Sequence, residues 1–211
     1  EIFVHASVQL PDRYEPYYLR GLSLTILDRY EEADQAFDAA LKLRTTDPEI
    51  WYEKGVVLGF LSQSDEAIAA FDNSIQYMPD NPRAFLKRGK AFASLSKFPD
   101  AIDSFDSVIR LEPENADALC AKGIALFHLG KFEDAAGVLE KALAVEPDNT
   151  DALSFYASAF AEQGRYAEAS EVFRKLLAII PDDAPIWFEQ GSVLAKLGRH
   201  EEAISAFENA I

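Results

Sequence analysis

The feature of this sequence that most constrains its fold is a period of 34 residues. One position of the period holds equally spaced prolines, Pro79, Pro113, Pro147 and Pro181. Another position holds alanine in every copy, at Ala33, Ala67, Ala101, Ala135, Ala169 and Ala203. A fixed period of this length, kept without insertion or deletion, predicts a chain of stacked structural repeats that share one continuous core.

The period divides the sequence into six units, of which the last is truncated. The units are 14–47, 48–81, 82–115, 116–149, 150–183 and 184–211. Before them, Phe3, Ala6 and Pro11 fall in columns that belong to the end of a unit. We therefore expect residues 1–13 to be the second-helix remnant of a preceding repeat, and the chain to be a segment of a longer array.

Each unit has the pattern of two amphipathic helices joined by a turn. In the fourth unit Leu119, Gly123 and Leu126 lie at i, i+4 and i+7, which is one face of a first helix. Gly130 then suits a turn in the left-handed conformation, and Pro147 ends a second helix because proline cannot continue the hydrogen-bond ladder. We predict an all-α chain, an α-solenoid of tandem helix-turn-helix repeats.

The residues at the predicted helix starts support this division. Asp47-Pro48 and Asn81-Pro82 each join a capping residue to a proline at the first helical position, where the missing N–H costs no hydrogen bond. Asn149 is a further capping residue, placed directly before the first helix of the fifth unit.

These columns resemble the tetratricopeptide repeat, whose pattern has a small residue at position 8, alanine at 20, an aromatic residue at 24 and proline at 32. Position 8 of the units holds Gly21, Gly55, Gly89, Gly123, Ala157 and Gly191. Position 24 holds Phe37, Phe71, Phe105, Leu139, Phe173 and Phe207. The resemblance covers residues 14–211 and implies a solenoid coiled into a right-handed superhelix.

Position 7 departs from the family pattern, which often has leucine there. It holds Arg20, Lys54, Arg88, Lys122, Tyr156 and Gln190. Long basic side chains can cover apolar surface with their stems and keep the charge in water, so we expect the fold to tolerate them.

The resemblance also implies where a partner binds. In this family the first helices line a concave groove that holds an extended peptide or a helix of a partner protein. The apolar residues at groove positions are Tyr18, Leu22, Tyr52, Val56, Phe60, Phe127, Phe155 and Phe188. They form a candidate peptide-binding surface, although an aromatic stripe of this kind can instead pack against neighbouring helices.

Charge in the predicted groove is concentrated on the first helix of the third unit. Arg83, Lys87 and Lys90 form a basic stripe there, which can receive a carboxylate of a partner or can pair with the surrounding acids. The carboxylate clamp of the family needs lysine and asparagine residues at set positions of two successive repeats. No unit meets that pattern, so we do not expect chaperone-tail binding of this kind.

The composition excludes several classes of partner. The chain has 36 acidic and 20 basic residues and a net charge of -16, so phosphate backbones and anionic membranes repel it. Neither nucleic acid nor a membrane is an expected partner. Cys120 is the only cysteine, which excludes an internal disulfide and is consistent with a cytoplasmic protein.

The sequence offers no residues for catalysis. His5, His128 and His200 are far apart in repeat order, and Cys120 stands eight residues from His128 along one predicted helix. The glycines are spaced by the repeat and form no phosphate-binding loop. We therefore expect no catalytic residues, no metal site and no bound cofactor.

These observations leave three functions open. The leading one is a non-enzymatic protein–protein interaction scaffold that binds a partner peptide or helix in its groove. A second is the targeting or regulatory repeat arm of a larger multidomain enzyme. A third is an array that self-associates end to end.

Overall fold

The computed structural model describes residues 13–211, so the predicted remnant at 1–13 lies outside the described residues apart from Arg13. Within this range the chain forms twelve α-helices and no β-strand, which confirms the all-α class. The helices are α1 Glu15–Ile26, α2 Tyr30–Leu43, α3 Pro48–Phe60, α4 Ser64–Tyr77, α5 Pro82–Ser94, α6 Phe98–Leu111, α7 Ala116–His128, α8 Phe132–Val145, α9 Thr150–Glu162, α10 Tyr166–Ile179, α11 Ala184–Lys196 and α12 His200–Asn209.

The helices fall into two compact units. The first ends at Leu111 and contains α1 to α6, and the second begins at Glu112 and contains α7 to α12. Inside each unit, consecutive helices pair as hairpins, and the second helix of one hairpin packs on the first helix of the next. Each unit is therefore an all-α solenoid of tandem helix-turn-helix pairs, as the sequence predicts.

Side-chain caps begin the first helices at the predicted residues. The Asp47 carboxylate accepts a hydrogen bond from the backbone N–H of Glu49 at 3.1 Å. Asn149 does the same for Ala152 at 2.9 Å. These bonds satisfy backbone donors that the helix itself leaves free, and they confirm both predicted caps.

Every hairpin turn contains one residue with a left-handed backbone. These residues are Asp28, Ser62, Ser96, Gly130, Gly164 and Gly198, all with φ between 56° and 76°. Three of the turns use glycine, and Gly130 has the conformation that the sequence predicts. The other three use Asp or Ser, so the hairpin geometry is kept even where the residue is less suited to it.

Close contact between the glycine column and the ring column holds the hairpins together. A Cβ atom added to Gly55 would lie 2.6 Å from Cε1 of Phe71, and one added to Gly89 would lie 2.5 Å from Cε1 of Phe105. Both rings are buried. The two helices of a hairpin thus approach closely because position 8 lacks a side chain.

Position 7 links successive hairpins through hydrogen bonds and ion pairs. The Lys54 Nζ atom on α3 lies 2.6 Å from carboxylate oxygens of both Asp34 and Asp38 on α2. The Lys54 side chain is 14% exposed. In the next hairpin Arg88 donates to Asp72 at 2.7 Å. These side chains cover the core, as predicted, and their charged ends also pair with acids of the preceding hairpin.

Burial by itself lowers the pKa of Lys54, but the hydrogen bonds that Lys54 donates to Asp34 and Asp38 outweigh it, and the pKa is raised. A base with a raised folded pKa stabilises the fold fully below its ordinary pKa. That contribution is lost only as the pH rises through the raised value. The link between α2 and α3 therefore persists at neutral and mildly alkaline pH.

The glycine contact predicts opposite effects for one substitution at two positions of α3. Gly55→Ala forces Phe71 or the helix to move and is expected to lower the free energy of unfolding by ~1–3 kcal/mol. A Cβ atom on Gly59 meets no atom within 4 Å. Gly59→Ala should therefore raise the free energy of unfolding by up to about 1 kcal/mol through helix propensity. Urea denaturation of both variants measures the difference, and equal effects would contradict the contact.

The Lys54 link predicts a graded loss of stability. Lys54→Met leaves two acids without their cation in a partly buried site, and we expect a loss of about 1–2 kcal/mol in thermal or urea unfolding. Lys97→Met is the matched control, because the pair between Lys97 and Asp65 at 2.9 Å is largely exposed. It should cost less than about 0.5 kcal/mol. Equal losses would show that burial of the Lys54 pair does not matter.

Candidate functional site

In the first unit, the predicted groove residues on α1 and α3 differ in how much surface they offer. Tyr18, Leu22 and Val56 are half-buried. Phe60 is 58% exposed, and its ring stacks on Tyr30 with centroids 4.7 Å apart. Phe60 is therefore a large aromatic side chain held in a fixed position at the surface.

Tyr52, another predicted groove residue, is largely covered. It is 6% exposed, and its ring lies against Phe71 with centroids 6.0 Å apart. The guanidinium of Arg83 stands 4.2 Å above the ring centroid. Tyr52 thus belongs to the core of the second hairpin, and Arg83 covers it from the α5 side.

The three members of the predicted basic stripe have different surroundings. Arg83 lies 3.7 Å from carboxylate oxygens of both Glu49 and Glu53, so it pairs with acids of the preceding hairpin. Lys87 and Lys90 are exposed. Among residues 13–211, neither lysine has an ion pair or hydrogen bond. The stripe is therefore reduced to two free ammonium groups.

An open pocket of about 580 Å³ lies between the ends of α3 and α5. We call it the lysine pocket. Its apolar lining includes Val56, Gly59, Phe60, Phe71, Ala91 and Leu95. Lys87 and Lys90 line the same pocket. The sequence predicted the lysines, Val56 and Phe60 as groove residues but not the cavity that joins them.

Two serines also line the pocket. The hydroxyl oxygens of Ser64 on α4 and Ser94 on α5 are 3.1 Å apart and share a hydrogen bond. This bond joins the second hairpin to the third beside the cavity. A sequence signal for the pocket did exist, because Gly59 puts no side chain at one of the groove positions.

In the second unit, two of the predicted groove residues pack against each other. The rings of Phe127 on α7 and Phe155 on α9 meet edge to face with centroids 5.3 Å apart. Phe132 lies 5.2 Å from Phe127, and Phe127 packs on the core of this unit. Both rings are only partly buried, so part of their surface remains open.

Phe188 on α11 is the most exposed of the predicted groove residues in the second unit. It is 56% exposed, and its ring lies 5.6 Å from Phe207 on α12. Phe188 therefore presents an aromatic surface that Phe207 partly covers.

Residues 13–211 lack the features of a metal site and of a membrane-spanning helix. No group of three or more His, Cys, Asp or Glu side chains in this range could hold a metal ion. Cys120 is buried. None of the described helices has the length and apolar character that crossing a membrane requires.

Comparison with family models identifies repeats along almost the whole of the described chain. A tetratricopeptide repeat model matches residues 52–116, 86–142 and 120–184. A second tetratricopeptide repeat model matches residues 14–47 and 184–211. A comparison with curated proteins finds no match.

Solved structures with the same fold include three that cover most of this chain. MamA is 24% identical with a TM-score of 0.74, over 77% of this chain and 89% of its own. A tetratricopeptide repeat protein from Parabacteroides merdae is 17% identical with a TM-score of 0.80, over 92% and 77%. YrrB, described as having an unusual peptide-binding site, is 20% identical with a TM-score of 0.76, over 99% and 98%. At these identities the likeness shows the fold alone.

The partly buried position of Glu53 near Arg83 predicts a pH-dependent effect on stability. Burial raises the pKa of the Glu53 carboxyl, and Glu49 adds to this, although Arg83 and Lys87 oppose it. An acid with a raised folded pKa destabilises the fold when ionised, and the fold gains stability as the pH falls through that pKa. At neutral pH Glu53→Gln should therefore be as stable as wild type or more stable. We expect its free energy of unfolding to be higher by about 1 kcal/mol or less.

Thermal unfolding of both proteins across acidic pH tests this expectation. The advantage of Glu53→Gln should vanish below about pH 4, where the wild-type carboxyl is protonated in both states. Glu49→Gln serves as the control, because Glu49 is 40% exposed while Glu53 is 19% exposed. A lower unfolding temperature for Glu53→Gln at neutral pH would show that the ion pair of wild-type Glu53 with Arg83 stabilises the fold by more than burial of the carboxylate destabilises it.

Proposed function

We propose that this chain, which belongs to the tetratricopeptide repeat family, is a non-enzymatic scaffold that binds a peptide or helix of a partner protein. The binding surface is the groove formed by the first helices of the hairpins. The observation that carries the proposal is the surface of α3 and α5, where an exposed aromatic ring, an open pocket and two unpaired lysines lie together.

Phe60 is one of the few aromatic residues within 13–211 whose side chain is exposed. The chain carries a net charge of -16, and most of its aromatic side chains within residues 13–211 are buried or half-buried. Phe60 instead lies in contact with water, and its stack on Tyr30 limits its motion. Rigid aromatic groups at the centre of a pocketed surface contribute strongly to binding energy, because little entropy is lost when a partner covers them.

The fold suits a segment better than a flat protein surface. Within each compact unit successive first helices lie side by side, and a groove between such helices suits an extended strand or an amphipathic helix. YrrB, which has the same fold, is described as having a peptide-binding site, and this agrees with such a partner. The strongly negative charge of this chain makes nucleic acid or an anionic membrane a poor partner.

The same proposal includes a cytoplasmic location. It rests on the use of a single cysteine, Cys120, which is buried and has no cysteine with which to form an internal disulfide.

Site-specific crosslinking tests the proposed surface. A photoreactive phenylalanine analogue replaces Phe60 or Phe188 in the groove, and in a matched variant it replaces Tyr77, a 40% exposed residue at the end of α4. We expect a partner protein to be crosslinked at Phe60 or at Phe188 in lysate and not at position 77. The purified partner should then bind wild type and compete with the crosslink at Phe60.

The outcomes separate the alternatives. Crosslinking of a partner at position 77 alone would place the binding surface on the second helices and overturn the proposal. Crosslinking of one copy of the chain to another would identify the partner as the chain itself and would favour a self-associating array.

A further inference from the structure

We propose that the lysine pocket receives a bulky apolar side chain of the partner segment while Lys87 and Lys90 bind carboxylates beside that side chain. The proposal rests on the proposed function and names the chemistry of the partner at the same surface. It predicts a segment in which a large apolar residue stands next to aspartate or glutamate.

The first argument comes from comparing equivalent positions of the repeat. Gly59 and Phe127 stand two periods apart, and so do Lys87 and Phe155. In the second unit the rings of Phe127 and Phe155 meet with centroids 5.3 Å apart and bridge α7 and α9. In the first unit, glycine and lysine stand at the corresponding positions, and the space between α3 and α5 is open.

The shape and lining of the pocket favour a large apolar group. Its volume of about 580 Å³ lies within the usual range of ligand sites, roughly 300–1,000 Å³. Gly59 contributes no side chain, and a Cβ atom built there meets nothing within 4 Å. Val56, Ala91 and Leu95 supply an apolar lining beside Phe60. A partner ring can therefore occupy space like that which Phe127 fills in the second unit.

The second argument is the state of the charges around the pocket. Other basic side chains of α3 and α5 are paired: Lys54 with two aspartates, Arg83 with two glutamates and Arg88 with Asp72. Lys87 and Lys90 are the exceptions among the described residues of these helices. The nearby Glu53 acts on Lys87 through space, but it is Arg83 that lies within ion-pair distance of it.

Several lysines within residues 13–211 have no ion pair, but Lys87 and Lys90 are the two that stand together at one cavity. They lie on successive turns of α5, and both line the cavity. Carboxylates on the partner would complement them, and this attraction would weaken with added salt because the lysines are exposed. The overall negative charge would reject acidic segments elsewhere on the chain, which makes the pocket selective.

A peptide selection tests both parts of the proposal. A random peptide library displayed on phage is selected on wild type, and each enriched peptide is synthesised and measured by fluorescence anisotropy. Two variants then disrupt the pocket. Gly59→Phe fills it with the side chain that Phe127 provides in the second unit, and Lys87→Glu/Lys90→Glu reverses its charge.

We expect enriched peptides to share a large apolar residue flanked by acidic residues. Gly59→Phe should weaken their binding by about tenfold or more, as for loss of a buried anchor. Charge reversal should weaken it by about tenfold at low salt and by less as salt is added.

Matched controls exclude loss of folding and loss of net charge as causes. Gly137→Phe makes the same change at an exposed glycine of α8 that has no atom near an added Cβ. Lys42→Glu/Lys141→Glu gives the same total charge at exposed lysines outside the pocket. Both controls should bind the peptides as wild type does, and circular dichroism should show all variants folded.

Three results would overturn the pocket proposal. If the enriched peptides bind Gly59→Phe as tightly as wild type, the lysine pocket is not their binding site, and the proposed groove function still stands. Peptides without carboxylates, unaffected by charge reversal, would refute the role of Lys87 and Lys90. If the selection on wild type enriches no peptide, that result would contradict both the pocket proposal and the proposed scaffold function.

Discussion

The structure depends on one steric fact, the contact between a residue without a side chain and a buried ring or branched side chain. A Cβ atom on Gly21, Gly55, Gly89 or Gly191 would stand at most 2.7 Å from a phenylalanine carbon of the second helix. No real Cβ atom tolerates such a distance, so the pair fixes how closely the two helices of a hairpin approach. Where the column has Ala157 instead, Phe173 is still fully buried, which shows that one hairpin has adjusted to a methyl group.

Once the hairpins have a uniform geometry, neighbouring hairpins can be linked by contacts that recur at the same period. Lys54 and Arg88 stand one period apart, and each pairs with aspartate of the preceding hairpin. In the second unit Gln190 stands at the same position of the period and donates a buried hydrogen bond to Ser170 at 3.2 Å. Polar groups there can be charged or neutral because the requirement is a partner on the preceding hairpin, which satisfies an otherwise costly half-buried group.

The same uniform hairpin geometry makes the proposed binding surface depend on a few variable positions. Where Phe127 and Phe155 occur, two helices are bridged by rings, and where Gly59 and Lys87 occur, a charged pocket is left open. A repeat protein can thus change its binding chemistry without changing its backbone, because the variable residues carry little of the hairpin packing. Phe37, Phe105 and Phe173 hold that packing, and each is almost completely buried.

The sequence alone determined the period and the helical class, because both follow from the spacing of residues along the chain. It also determined the caps at Asp47 and Asn149 and the left-handed turn at Gly130, because these follow from the local chemistry of one or two residues. It also predicted Lys87 and Lys90 as groove residues, since a fixed period assigns each residue to a face. Only the tertiary structure decided that Arg83 is occupied by Glu49 and Glu53, that Tyr52 is covered and that Phe127 packs against Phe155. Those facts depend on distances between side chains of different hairpins, and the spacing of residues along the chain does not contain them.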